Sequence, residues 1–332
     1  MTGGPSAPVP MKIFVLRRIL SVFPILLVVS FLSYGLLRAT PGDYFSKFEG
    51  DPTWSSQRIA QERHRSGLDR DWVTGYVVWL KGALRFDFGY SFERRAPVWG
   101  LIKERLGNSF VLYGSALLLT WLLAIPLGVT AATRPRTWVD GLFGFLSYFG
   151  LSVPRVFLAL LMVLFAAKTG WFPVGDMKSV TRWDSFSLLE KTVDVGHHLV
   201  LPTLVLAVTG MAGYMRQMRA ATLECLSQDY VRTARAKGLP ERAVIYRHTV
   251  RNAVNPLITL FGYSVAYMLS GSFLTEVVMN WPGMARLVVD GLFAQDEPLV
   301  MAAVLMAAGM LVLGNLVADI LLAFADPRVR VS

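Results

Sequence analysis

One cysteine is all that this chain carries. Cys225 stands alone, which excludes an intrachain disulfide and any thiolate-held metal cluster; its plain reading is a small buried side chain. Charge is scarce as well: only 17% of the 332 residues are Asp, Glu, Lys or Arg, where soluble domains average roughly a quarter. Catalytic patterns are missing too. The sequence holds no Gly-x-x-x-x-Gly-Lys-Ser/Thr phosphate loop, no His-Glu-x-x-His, no Gly-x-Ser-x-Gly and no carboxylate pair on one apolar helix face. His197 and His198 are neighbours, but adjacent helical residues point about 100° apart and rarely share an ion, so they read as loop or helix-start residues. No catalytic residue, metal ligand or cofactor site is therefore assigned.

What is plentiful is apolar surface. Hydrophobic residues make up 54% of the chain, with 20 Phe and 13 Met, more than one aqueous core would bury. A bilayer is the natural second solvent, and a helix needs roughly 20 mostly apolar residues to cross its hydrocarbon. Six runs qualify: Ile19–Leu37, Ser109–Ala132, Leu142–Ala167, Leu199–Met215, Pro256–Thr275 and Leu299–Phe324. They predict an all-α integral membrane protein with six transmembrane helices. The first run has a basic start in Lys12, Arg17 and Arg18. Its apolar core is nevertheless long for a signal peptide, and Leu37-Arg38-Ala39-Thr40-Pro41 is a poor small-residue cleavage site; it is expected to stay as a helix.

The net charge of +10 fits either nucleic-acid binding or the basic bias of cytoplasmic loops. The basic residues interrupt apolar runs and form no aromatic-laced patch, which favours topology over nucleic acid. Lys12, Arg17 and Arg18 precede the first run, Arg134 and Arg136 follow the second, and Arg328 and Arg330 follow the sixth. After the fourth come Arg216, Arg219, Arg232, Arg235, Lys237, Arg242, Arg247 and Arg251. With six spans all four segments share one side, so both termini are expected to be cytoplasmic. The expected division is 1–12 as a cytoplasmic tail, 13–38 as the first transmembrane helix and 39–108 as an external segment with an interfacial helix. Residues 109–324 form a five-helix core that includes a cytoplasmic loop, 216–255, and 325–332 form a second tail. In the external segment Trp72, Tyr76 and Trp79 share one helix face, which suits the membrane interface or, alternatively, an outside partner.

The loop Leu226–Pro256 is too polar for lipid and too rich in helix formers for a slack linker. Ala234, Ala236 and Ala243 favour helix, Gly238 stops it, and Pro240 follows two residues on. The spacing predicts helix, tight turn, helix: an ordered hairpin of the kind that contacts another protein. Its residues Asp229-Tyr230-Val231-Arg232-Thr233-Ala234-Arg235-Ala236-Lys237-Gly238-Leu239, then His248 to Ala253 and Pro256, resemble the cytoplasmic loop of bacterial dipeptide/oligopeptide ABC importer permeases. Ala234 and Gly238 match the second alanine and the glycine of that superfamily's "EAA" loop. Arg232 stands where the general pattern has glutamate and Arg251 where it has proline; both departures resemble the peptide branch. Gly67 to Arg70, Asp87 to Ser91, Ile125 to Val129, His198 to Leu204, Glu276 to Gly283 and the ending Asp326-Pro327-Arg328 extend the resemblance over nearly the whole chain after Lys12.

The resemblance implies a type I permease fold, a multi-pass place in the bacterial cytoplasmic (inner) membrane, and a subunit without ATP chemistry of its own. It implies a second homologous permease, two ATPase subunits and an external solute-binding protein as partners, with lipid around them. Asp229, Tyr230, Arg232, Thr233, Ala234, Ala236, Lys237, Gly238 and Leu239 would form the coupling segment, Ala234 and Gly238 allowing close packing in a cleft of the ATPase. Peptides are the implied cargo, although the branch also carries nickel chelates, glutathione and sugars. Arg155, directly after Pro154 and well inside the third run, is the candidate for the translocation path. An arginine at mid-span costs roughly 2.5–3.5 kcal/mol on insertion scales, and Pro154 is expected to kink the span. A pair with an acidic group or a lipid phosphate is the structural alternative. An ion-driven secondary transporter would instead show repeated halves and buried mid-span carboxylates, which this sequence lacks; a membrane-embedded enzyme would need a catalytic constellation.

Overall fold

The computed structural model describes residues 11–267 and 273–325, and among them the regular elements are all helices. α1 (Met11–Ala39) is followed by a 3-10 turn at Tyr44–Phe48, α2 (Ser56–Ser66), α3 (Trp72–Ala83) and α4 (Val98–Thr133). Then come α5 (Trp138–Ser152), α6 (Arg155–Thr169) and α7 (Leu188–Leu226). α8 (Asp229–Ala236), α9 (Glu241–Ala243), a π-helical stretch at Val244–Val250 and α10 (Arg251–Ala253) lead into α11 (Asn255–Tyr267), followed by α12 (Phe273–Val278), α13 (Met284–Phe293) and α14 (Glu297–Ala325). Side-chain caps start several of them: Ser55, Asp71 and Ser187 each accept a backbone N–H of the first turn of α2, α3 and α7, a contact worth about 1 kcal/mol.

Four helical segments, Val15–Phe48, Val98–Thr133, Leu188–Leu226 and Glu297–Val317, are long and apolar enough to cross a membrane, and α5 with α6 make a fifth if counted as one broken span. The expected run Pro256–Thr275 falls on α11, on residues 268–272 outside the described residues, and on α12. The closing Asp326-Pro327-Arg328 and Arg330 also lie outside them.

The chain divides into two compact units. One comprises residues 16–109 and 282–312. Tyr34 of α1, Tyr76 of α3 and Met301 of α14 form one core, with Trp79 and Leu80 packed against it. The aromatic face of α3 is thus turned onto α1. Tyr76 Oη lies 2.9 Å from Ser30 Oγ, and Phe31 packs on both Trp72 and Tyr76. Only Trp72 keeps much exposure, at 44%. At the end of α1, Arg38 donates to Tyr34 Oη at 3.0 Å and pairs with Glu297 at 3.3 Å. Asp296 is fully buried, accepting from Ser91 Oγ at 2.5 Å and from the Glu93 N–H at 3.0 Å. Both acidic residues flank the start of α14, where carboxylates complement the helix dipole.

The other unit comprises residues 1–15, 110–281 and 313–332, and α7 is its mast. Three apolar clusters each draw on α7: Leu206 joins Leu112, Tyr113, Ala116 and Trp281; Met218 and Ala221 join Val129, Ala253 and Leu257; Leu201 and Val205 join Ala159, Ala166 and Met279. Glycine sets how near a neighbour comes. A Cβ on Gly150 of α5 would lie 3.0 Å from the Val208 carbonyl oxygen and 3.2 Å from the Ala212 Cβ, the close approach that small residues allow between membrane helices. Asp140 of α5 accepts from Nε and Nη2 of Arg219 at 2.7 and 2.8 Å. Arg216 and Arg219, expected in a loop, therefore belong to α7, which runs on to Leu226.

The third apolar run is broken between α5 and α6. α5 and α6 meet at 97°. Proline has no N–H and bars the α conformation from the residue before it; accordingly Val153 is extended at φ −77° and ψ 120°, and α6 starts afresh after Pro154. Arg155, expected well inside the span, is the first residue of α6.

Candidate functional site

The polar hairpin is built by a helix stop. α8 carries Val231 and Ala234 on one face, three residues apart, and both are buried against Val244 with Leu226 beside them. After α8 the Gly238 N–H donates to the Arg235 carbonyl at 2.9 Å and the Leu239 N–H to the Ala234 carbonyl at 3.4 Å. Lys237 is the cap residue and Gly238 holds φ +72°. This pair of bonds is a Schellman motif, and its left-handed position favours glycine. Pro240 then fixes the start of α9.

Across the turn Arg235 grips Glu241 through Nη2 at 2.7 Å and Nε at 3.2 Å. The guanidinium holds the Glu241 carboxyl below the usual carboxylate range, and the carboxylate raises the already high pKa of Arg235. Beyond α9 the backbone winds as a π-helix, where Thr249 Oγ1 donates to the Val244 carbonyl at 3.0 Å. Ala253 and Leu257 then pack with Val129, Met218 and Ala221. The hairpin is thereby joined to the core of its own unit at both ends.

Of the residues singled out in the sequence, Asp229, Tyr230, Arg232, Thr233, Ala236, Lys237, Gly238 and Leu239 are exposed. Ala234 is not: it is 5% exposed, held on the same face as Val231. It lies on the inside of the hairpin, packed with Val231 and Val244. Gly238 has open space around it, with nothing within 4 Å of an added Cβ, so its role here is the turn. Sequence reasoning missed the Arg235–Glu241 pair. Opposite charges on either side of a Gly-Leu-Pro turn were the available signal.

The second feature is a cleft of about 660 Å³ at the break between α5 and α6. Gly150, Val153 and Pro154 form one wall, Phe273 and Leu274 of α12 another, and Arg155 and Thr209 contribute its polar atoms. Arg155 Nε donates to Thr209 Oγ1 at 3.3 Å. That hydroxyl in turn donates within α7, to the Val205 carbonyl at 3.0 Å. Its proton is therefore used by the helix, and its oxygen steers the guanidinium. Thr209 was not visible as a partner in the sequence, because only the 97° turn brings Arg155 to it.

His197 and His198 lie within α7, not at its start. His197 Nε2 is 2.8 Å from the Trp171 carbonyl, and His198 Nδ1 is 2.8 Å from the Asp194 carbonyl. Each ring serves a backbone oxygen. Among the described residues no group of three or more His, Cys, Asp or Glu could hold a metal ion.

An all-helical chain with several apolar spans, an ordered polar hairpin and a cation beside a broken span has the make-up of a membrane transport component. The chain belongs to the binding-protein-dependent transport system inner membrane component family, whose description matches residues 124–331, with the N-terminal part of that family matching residues 11–113. Among curated proteins it is 37% identical over 322 residues to the oligopeptide transport system permease protein AppB of Bacillus subtilis, covering 96% of this chain and 100% of the relative. A putative peptide permease protein of Brucella suis is 35% identical, covering 96% of this chain and 99% of the relative. The dipeptide transport system permease protein DppB of Escherichia coli is 32% identical, covering 96% and 98%.

Proposed function

We propose that this protein is the channel-forming permease subunit of an ATP-driven importer that carries di- or oligopeptides, or a related small solute, across the bacterial cytoplasmic membrane. It works beside a second homologous permease, two cytoplasmic ATPase subunits and an external solute-binding protein, and contributes no ATP chemistry itself. Six spans with both termini in the cytoplasm are the topology of this reading. Residues 39–108 then lie outside, the hairpin in 216–255 lies inside, and the tails are 1–12 and 325–332.

The hairpin supports the reading most directly. A loop that merely connected two spans would not need a Schellman stop, an ion pair across the turn and a buried Val231–Ala234–Val244 core. Those features stiffen a surface made of Asp229, Tyr230, Arg232, Thr233, Ala236, Lys237, Gly238 and Leu239. Such a surface is fit to be pushed: force applied to α8 reaches α7 and α11 through packed side chains without bending the turn. Gly238→Asp tests it. A carboxylate at the tip of the turn leaves insertion into the membrane intact and removes the ATPase subunits from the purified complex. Unchanged co-purification of the ATPases contradicts the reading.

A further inference from the structure

We propose that the cleft at the α5–α6 break is a subsite for a carboxylate of the cargo, with Arg155 as the group that binds it and Thr209 as the residue that positions Arg155. This rests on the importer reading above and adds the chemistry of the cargo to it.

The placement of the charge is the first ground. An ionised side chain within an apolar run is retained where it faces a water-filled cavity or a polar partner, not lipid tails. Here the 97° break sets Arg155 at the start of α6, in the wall of a cleft. The chemistry of the donor is the second. Guanidinium is permanently charged, only donates, and presents a planar fork that matches a carboxylate in two parallel bonds. Thr209 cannot compete for an anion, since its proton is bonded to its own helix; it offers an oxygen that fixes the direction of the guanidinium. Size is the third. About 660 Å³ lies in the range of small-molecule sites, which are mostly apolar with a few placed polar groups.

The walls beside Arg155 are apolar side chains and backbone: Val153, Pro154, Phe273 and Leu274. This combination suits the C-terminal end of a short peptide, a carboxylate next to a side chain of varied character. A bare cation would meet the Arg155 charge there and be repelled.

Because Cys225 is the sole cysteine, a single reactive thiol can be placed at this site. The test uses the full complex with its receptor, partner permease and ATPases in proteoliposomes, built on Cys225→Ser, with and without Arg155→Cys. Uptake of a dipeptide is measured before and after treatment with aminoethyl or sulfonatoethyl methanethiosulfonate, which attach a cation or an anion of similar size. Arg155→Cys is expected to lower uptake by about tenfold or more, the scale of a lost charge-assisted hydrogen bond. The aminoethyl group is expected to restore most of the uptake and the sulfonatoethyl group none.

Undiminished uptake by Arg155→Cys, or equal effects of the two reagents, overturns the subsite while leaving the importer reading in place. If Arg155→Cys fails to assemble, Arg155→Lys and Arg155→Gln decide: the subsite expects lysine to retain uptake and glutamine to lose it, and failure of both to assemble makes Arg155 structural and overturns the proposal. A Cys225→Ser complex that shows no ATP-driven peptide uptake removes the importer reading and the subsite together.

Discussion

Two helix stops, one at Gly238 and one at Pro154, turn the chain by different chemistry in different surroundings. At Gly238 the stop is made by backbone freedom: a left-handed residue closes a Schellman pair, the turn stands in open space, and an exposed ion pair spans it. At Pro154 the stop is made by backbone restriction: a missing N–H and an extended Val153 end α5, and the turn lies between apolar helices. The first produces a stiff polar projection and the second a cleft whose wall includes the Arg155 guanidinium. Under the proposed importer function the two features divide the work, the projection to receive motion and the cleft to meet cargo.

The comparison can be broken most forcefully from inside the hairpin. Ala234→Asp places a carboxylate among Val231, Val244 and Leu226 and is expected to cost about 2–4 kcal/mol of local stability. Rapid protease cleavage of the loop in inverted vesicles is the readout. Thr233→Asp, one residue away on the exposed side, is expected to leave cleavage unchanged. Equal sensitivity of the two variants would mean that α8 has no inner face.

A matched pair of glycine substitutions separates the two stops. Gly150→Leu drives side-chain atoms into the Val208 carbonyl and Ala212, with an expected loss of about 1–3 kcal/mol seen as a lower Tm of the purified protein. Gly238→Ala meets no neighbour and is charged only for its φ of +72°, about 1 kcal/mol. Its effect should appear as faster hydrogen exchange confined to α8 and the turn, with Tm nearly constant. Reversed magnitudes would show that the turn at Gly238 is packed and that at Gly150 is loose.

The smallest effect belongs to the exposed pair. Glu241 is held below its ordinary range by Arg235, so its contribution is present above the unfolded carboxyl value, near about pH 4.3, and is lost as pH falls through the lower folded value. Arg235 is shifted upward and stays charged throughout. Solvent screening limits the pair to a few tenths of a kcal/mol, about the usual worth of exposed ion pairs. Hydrogen exchange in the turn should rise slightly below pH 4.3 or so, and Glu241→Gln should abolish that dependence. A dependence that survives Glu241→Gln would assign it to another carboxylate.

Much of the fold was legible because lipid and water select residues so sharply. The apolar runs mark the long helices, and Gly238 with Pro240 marks the hairpin turn before any coordinates are seen. Other features depend on contacts distant in the sequence. Pro154 signals a break, but neither its 97° angle nor the close seat of Gly150 on the Val208–Ala212 turn of α7. Trp72, Tyr76 and Trp79 reveal a shared face by spacing, yet not that Ser30 and Tyr34 of α1 cover it. Asp296 reads as an ordinary loop acid, and its bond to Ser91 joins residues 205 positions apart. That Ala234 shares the buried face of α8 with Val231 depends on Val244 across the turn.

The energy source is the central claim, and uptake of a labelled dipeptide by the assembled complex in proteoliposomes tests it most directly. With receptor outside and ATP inside, the account predicts uptake that requires ATP, stops with vanadate and persists when an uncoupler dissipates the ion gradient. Uptake that ignores ATP and vanadate but collapses with the uncoupler would contradict it.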